Sequence, residues 1–361
     1  MQSQKSPQPA VSAWLFACLM LIAATIIVNG LMRLNESGLS ITDWKPITSL
    51  KLPTNDDEFQ GVLDEYKKLP QFAKSFPNMQ VEEFKAVYTL EFANYTLVFI
   101  GQILFVLPFL VFFLMRKFTT SQIAKLVLVF IFGNMQSLFY NYMWQNSLLD
   151  DPHFSPYRLS LQLVLSFTFF ALVLWQLLTI SYPKPGIGGF ELPKPPLFLK
   201  VFACLTFVAI SSEIILGGAL SGLHSPLSFN TFPMMDGQWI PEGLWPFQEP
   251  VSGWYKNFFE DVPTVQFSHR MVAYFLTIFI PLFCLFGRNN PHIAHLLPIL
   301  FSMFVVEFLL GVLTLLFLAP VPLAALHQAI ALLVFGISVT TMHRLFLPIK
   351  SIAYDVGIVA V

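Results

Sequence analysis

The chain has 361 residues, 55% of them hydrophobic and 11% charged, with a formal net charge of −1 and a mean hydropathy of +0.66. A water-soluble globule with so few charges would have no surface to show to solvent, so the composition excludes one and defines a polytopic membrane protein. No basic cluster suits nucleic acid. The three cysteines, Cys18, Cys204 and Cys284, fall inside apolar runs without the paired spacing of a disulfide or a thiolate metal site.

A helix needs about 20 apolar residues to cross a hydrocarbon core. Runs of that kind are read at 12–32, 92–115, 122–143, 159–181, 199–220, 266–287, 296–318 and 322–344, which makes eight spans in an all-α protein. The first follows a short polar head with one lysine, Lys5, and lacks a small-residue cleavage site, so it is read as a retained helix rather than a signal peptide. Lys5, Arg116, Lys117, Lys125, Lys184, Lys194, Lys200, Arg288, Arg344 and Lys350 gather on one side, against Glu191 and Asp355 alone. By the positive-inside rule both termini are cytoplasmic, or in the matrix of an organelle. The absence of an Arg- and Ser-rich leader favours a bacterial inner membrane over a mitochondrial one.

Taken in order, span 1 ends in Asn29-Gly30-Leu31-Met32-Arg33 and runs into a Gly-, Ser- and Asn-rich turn, followed by Asp43-Trp44-Lys45-Pro46, that is expected to fold back over the bundle mouth. The outer loop, 33–90, carries charges that suit a solvated cap, and short amphipathic helices are expected near 58–68 and 81–87. A Pro- and Gly-rich inner loop, 182–196, divides the chain into an N-terminal half, 1–182, and a C-terminal half, 183–361. The halves repeat. Ile214-Ile215-Leu216-Gly217-Gly218 matches Ile26-Ile27-Val28-Asn29-Gly30, and Gln266-Phe267-Ser268-His269 matches Glu91-Phe92-Ala93-Asn94. Glu307 falls on Gln136, and His327 on Gln162. Four spans per half give a parallel repeat, a pair of four-helix bundles whose interiors are where facing side chains build a cofactor site.

The chemistry concentrates on His269 and His327, each one to two turns inside the same face of spans 6 and 8. Histidine within a span is costly and usually functional. Two imidazoles at one depth on neighbouring helices can hold a haem iron from both sides. The competing reading is a pair of interior histidines, each bonded to a nearby carbonyl. His153, His224, His292, His295 and His343 are expected to be surface or interface residues. Glu91, Glu213 and Glu307 lie within spans and need partners or protons. Glu91, one turn from Asn94, could shuttle protons in that half or simply be a protonated interhelical contact; Glu213 and Glu307 are placed to set the electrostatics around the histidines. Arg270, Arg158 and Arg33 suit bidentate capture of propionates, with lipid head-group anchoring as the alternative.

On these residues the chain resembles the haem A synthase family, in its type with a long first outer loop and no cysteine pair there. The matching stretches are Arg33-Leu34-Asn35-Glu36-Ser37-Gly38-Leu39-Ser40 with Asp43-Trp44-Lys45-Pro46, Ser155-Pro156-Tyr157-Arg158-Leu159, Asn230-Thr231-Phe232-Pro233-Met234-Met235-Asp236-Gly237, Asn257-Phe258-Phe259-Glu260, Val265-Gln266-Phe267-Ser268-His269-Arg270 and Leu326-His327-Gln328. The resemblance implies oxidation of the ring-D methyl of haem O to the formyl of haem A, with water as the oxygen source. It implies haem B as cofactor on His269 and His327, Glu91 as the glutamate near the substrate, haem O as substrate, and haem O synthase and oxidase assembly factors as partners. The chain departs from the family pattern where first-half histidines are expected: Asn94 and Gln162 stand there, Tyr95 follows where Arg is common, and Ser137 and Tyr140 replace glycines. A tyrosine for a glycine fills space that a packed interior does not have to spare. Two functions follow, a haem A synthase that holds its substrate without axial histidines, or a single-haem b-type cytochrome serving oxidase assembly. A transporter is disfavoured, since no span is broken by Gly or Pro in both halves. Whether the chain forms a homo-oligomer is left open.

Overall fold

The structure, a computed structural model, describes residues 8–34, 52–68, 78–150, 155–181, 190–223, 228–244, 254–347 and 351–352, with the backbone alone given for 140–150, 190–191 and 351–352. Among the described residues the helices are α1 (Pro9–Leu34), α2 (Asp56–Lys67), α3 (Val81–Leu114), α4 (Thr120–Asp150), α5 (Pro156–Ser181), α6 (Leu197–Gly222), α7 (Asn257–Glu260), α8 (Val262–Gly287), α9 (Leu297–Leu316) and α10 (Val321–Phe346). Eight of them, all but α2 and α7, are long and apolar enough to cross a membrane. Each overlaps one expected span. The only described strands are two residues each, Phe190–Glu191 paired antiparallel with Ser351–Ile352.

Where the chain enters and leaves helices follows its local chemistry. Asn55 caps α2 by accepting the Glu58 N–H at 2.8 Å, and the Glu58 carboxylate accepts in return from the Thr54 N–H at 2.8 Å. Asp261 caps α8 by accepting the Thr264 N–H at 3.0 Å, with Pro263 in the first turn, where its missing N–H costs no helix bond. Pro108 and Pro281 sit inside α3 and α8, which spans tolerate when neighbouring helices and small local adjustments satisfy the freed carbonyls.

The expected separate helix at 81–87 is instead the start of α3, which runs unbroken for 34 residues. At 1.5 Å per residue that is roughly 51 Å of helix, longer than a hydrocarbon core of about 30 Å, so its first turns stand outside. There α2 lies on them, burying Phe59, Leu63 and Tyr66 against Phe84 and Val87. The turn at 35–46 lies outside the described residues.

Neighbouring helices in each half pack together: α1 on α3 and α5, α4 on α5, α6 on α8, and α10 on α9. Across the middle, α5, α6, α1 and α10 meet, and one apolar core runs through them, from Leu15 and Phe167 to Ile210, Phe304 and Phe335. Two stretches far apart in sequence close the outer side. Tyr157 donates to Glu260 at 2.7 Å and stacks on Phe259, ring centroids 4.8 Å apart.

His292 and His343, expected at the surface or at an interface, are not at the surface. Both are buried: His292 Nε2 sits 2.9 Å from the Pro193 carbonyl, and His343 Nε2 sits 3.0 Å from the Thr179 hydroxyl with its ring edge-on to Trp175. Each pins an inner helix end, a task that periodicity does not reveal. His295 is exposed, and His153 and His224 lie outside the described residues.

Candidate functional site

Two helices, α8 and α10, carry His269 and His327 near their N-terminal ends, and both rings line one cavity of about 290 Å³. The cavity is walled by α6 and α9 as well. Those helices supply a carboxylate to each ring: His269 Nδ1 stands 2.6 Å from Glu213 Oε2, and His327 Nδ1 stands 2.9 Å from Glu307 Oε1. Each carboxylate is also within electrostatic reach of the opposite histidine. All four groups therefore act on one another at one place.

A glycine follows each glutamate by one turn. Gly311 faces His327 so closely that a Cβ there would sit 3.1 Å from the ring's Cε1, while a Cβ at Gly217 would sit 3.9 Å from His269 Cε1. The pattern Glu-x-x-x-Gly thus occurs twice, on α6 and α9, with the glutamate beside Nδ1 and the glycine making room for the ring. The sequence reading had the glutamates but not the glycines; the repeated spacing 213/217 and 307/311 is the signal that finds them.

A carboxylate beside Nδ1 fixes the tautomer with its proton on that nitrogen and leaves Nε2 with a lone pair to give to a metal. Among the described residues no cluster of three or more His, Cys, Asp or Glu could cage a bare ion. Two imidazoles and no third ligand fit a metal that brings its own equatorial ligands, as an iron porphyrin does.

The arginines divide. Arg270, buried at 7% exposure, spends its guanidinium on the outer loop: it donates to the carbonyls of Thr231 at 2.8 Å, Met234 at 3.2 Å and Phe229 at 2.5 Å. It borders the cavity, but as the pin that folds loop 228–236 over it. Arg33 also lines the cavity and donates to Gln328 Oε1 at 2.9 Å. Arg158 is half-buried and is not part of the lining. Gln328, the residue after His327, was overlooked as a joint. Its Nε2 donates to the Ile26 carbonyl at 2.7 Å, over Gly30, where a Cβ would lie 2.2 Å from its Oε1. Only glycine lets α10 reach α1 in this way.

A second cavity, of about 160 Å³, lies between α1, α3, α4 and α5. Asn94 lines it; Gln162 is buried but does not. Gln136 donates to Ser166 at 2.8 Å and Thr25 to its own helix at Leu21, 2.9 Å. Glu91 is buried at 1% exposure, near Tyr88 and Tyr95 electrostatically, and is not in the lining of that cavity. Tyr140's side chain lies outside the described residues.

Fold and site together define a polytopic helical membrane protein with two carboxylate-backed histidines on one intramembrane cavity. Residues 12–339 match the COX15-CtaA family of cytochrome oxidase assembly proteins. Among its relatives are the Heme A synthase of Nitrosospira multiformis, 36% identical over 343 residues and 94% of both chains. Those of Flavobacterium johnsoniae, 34% identical over 94% of this chain and 99% of the relative, and of Wolbachia pipientis wMel, 33% identical over 91% and 90%, are similar to it too. The chain belongs to the COX15-CtaA family. Eight apolar helices make it a multi-pass membrane protein, and its bacterial relatives fit an inner-membrane location.

Proposed function

We propose that the chain is a haem-dependent membrane oxidoreductase of the haem A synthase type, acting on the ring-D methyl of haem O, with both termini cytoplasmic. The observation that carries this is the pair of inward imidazoles on one cavity, each with a glutamate beside Nδ1 and a glycine beside Cε1. His269 and His327 would hold the iron of a haem B through Nε2. A haem with both axial positions filled supplies one-electron transfer and does not bind oxygen.

The rest belongs to the chain's own residues. Glu213 and Glu307 orient the rings and supply negative charge that favours the higher oxidation state. Arg33, which lines the cavity and gives one of its donors to Gln328, would pair with a propionate, whereas Arg270 gives both terminal nitrogens to carbonyls of the loop. Glu91 is the candidate proton carrier, buried and one turn from Asn94. The division into four-helix halves at 182/183 belongs to this reading, because it places the clamp wholly in the second.

A second reading is favoured by one observation. None of the four first-half positions matched to the clamp carries an iron ligand: Thr25 stands for Glu213, Asn94 for His269, Gln136 for Glu307 and Gln162 for His327. Neutral amides are poor partners for iron beside imidazole, so a single-haem b-type cytochrome serving oxidase assembly is the alternative. Pyridine haemochrome analysis of protein purified from cells that make haem O separates the two. Haem A or a hydroxylated haem O supports the synthase, and Glu91→Gln is then expected to abolish that product. Haem B alone, with no oxidised haem O, would leave only the cytochrome.

A further inference from the structure

The cavity among α1, α3, α4 and α5 holds two buried acceptors that no donor meets. Among the described residues no charged side chain lines it. Of its neutral polar groups, Thr25 donates to the Leu21 carbonyl, Asn134 to the Phe130 carbonyl and Gln136 to the Ser166 hydroxyl. Asn94 stands apart from these. It is 2% exposed, and its Oδ1, like that of Asn29, has no hydrogen-bond partner. An amide oxygen left unmet inside a membrane protein is costly, and what meets it is an O–H or an N–H.

The walls and the edge of the cavity describe the rest of the ligand. Phe105, Phe130 and Phe169, with Leu97 and Val98, make most of the lining apolar. Helix α4 packs on α5 and meets α3 lightly, where Phe105 stacks on Phe130 with ring centroids 5.6 Å apart. To either side of that contact Ile103 and Leu107 on α3, and Ile131 and Met135 on α4, are exposed. Within membrane spans such side chains face lipid, so a long apolar chain can leave the cavity between these two helices. The complementary ligand therefore carries a neutral hydroxyl with an apolar chain beside it. Haem O, the substrate in the proposed function, offers the protein its propionates, its iron, and the hydroxyl at the root of its isoprenoid tail. Propionates would want a cation, and iron a better ligand than a neutral amide. The hydroxyl and tail are what this lining fits.

We infer that Asn94, supported by Asn29, accepts a hydrogen bond from the hydroxyl of the substrate's isoprenoid arm, whose tail runs out between α3 and α4. The inference rests on the synthase reading above and deepens it by making these two amides determinants of specificity. A site built to bond a hydroxyl rejects an analogue that lacks it, because its own polar groups are then left unpaired. Haem B, with a vinyl group at that place, is such an analogue. The contact is one of binding alone, and no covalent bond forms or breaks.

The test is binding to the purified full-length protein, first given one equivalent of haem B for its histidine cavity, of haem O and, in parallel, of further haem B. Bound haem is read by difference absorbance and by extraction after gel filtration. Expected is one equivalent of haem O held at least ten-fold more tightly than further haem B. In Asn94→Leu the affinity for haem O falls at least ten-fold while that for haem B is unaltered, and Asn94→Ser, which keeps an acceptor, falls between. Asn29→Leu moves the same way should Asn94→Leu fail to fold. Equal affinities for the two haems in the wild type, affinities that fall together in the leucine variants, or a haem O affinity unchanged in both overturn the inference and leave the synthase reading standing. No uptake of haem O beyond the first equivalent of haem overturns the synthase reading, and the inference with it.

Discussion

At the scale of single residues, the account turns on what each histidine is given by its neighbours. Gly311 and Gly217 differ in how closely they face their rings, 3.1 Å against 3.9 Å from Cε1 for an added Cβ, and packed interiors transmit such differences. Gly311→Ala is therefore expected to displace the His327 ring and cut haem occupancy about ten-fold, on the scale seen when a ligand's support is lost, while Gly217→Ala stays near wild type; equal effects in the two, read from the haem-to-protein ratio, would contradict the geometry. Glu307→Gln removes a negative charge beside His327 Nδ1. Less charge on the ligand disfavours the ferric state, so the midpoint potential is expected to rise, by roughly 60 mV for each ten-fold change in relative affinity. A redox titration showing a fall would reverse the assigned role.

At the scale of elements, the long helices were the legible part and the joints were not. Apolar runs of span length gave all eight crossings, because in lipid every backbone group must be met within its own helix and the sequence has to show it. The helix at 81–87 was misread because its amphipathic turns, suited to a water-facing cap, continue into α3 without a break. Arg270 was read toward a propionate because an arginine next to a ligand histidine suggests an anion. Its actual partners are carbonyls of a loop some forty residues earlier, which no spacing announces. This pin yields an expectation of its own. Arg270→Ala leaves those carbonyls unmet and is expected to cost about 2 kcal/mol, measured as a lower thermal midpoint and faster proteolysis in 228–236, whereas Arg270→Lys, keeping one or two of the bonds, falls between. Unchanged midpoint and cleavage would show that the loop holds itself.

At the scale of the whole molecule, two histidines and two glutamates gather on the cavity among α6, α8, α9 and α10, while amides and hydroxyls line the cavity among α1, α3, α4 and α5. That His269 and His327 line one cavity follows from their equal depth in spans 6 and 8; that each ring meets a glutamate from a facing helix needed three dimensions, since Glu213 and His269 lie on α6 and α8, and Glu307 and His327 on α9 and α10. The joint between halves, Gln328 on the Ile26 carbonyl above Gly30, was invisible to periodicity because it depends on how closely two helices approach. The most direct measurement is electron paramagnetic resonance of the oxidised protein, taken with its haem-to-protein ratio, for the wild type and for His269→Ala and His327→Ala. A low-spin haem with bis-imidazole ligation, lost in either variant, is the expected result; a bis-imidazole low-spin signal that survives both substitutions would contradict it.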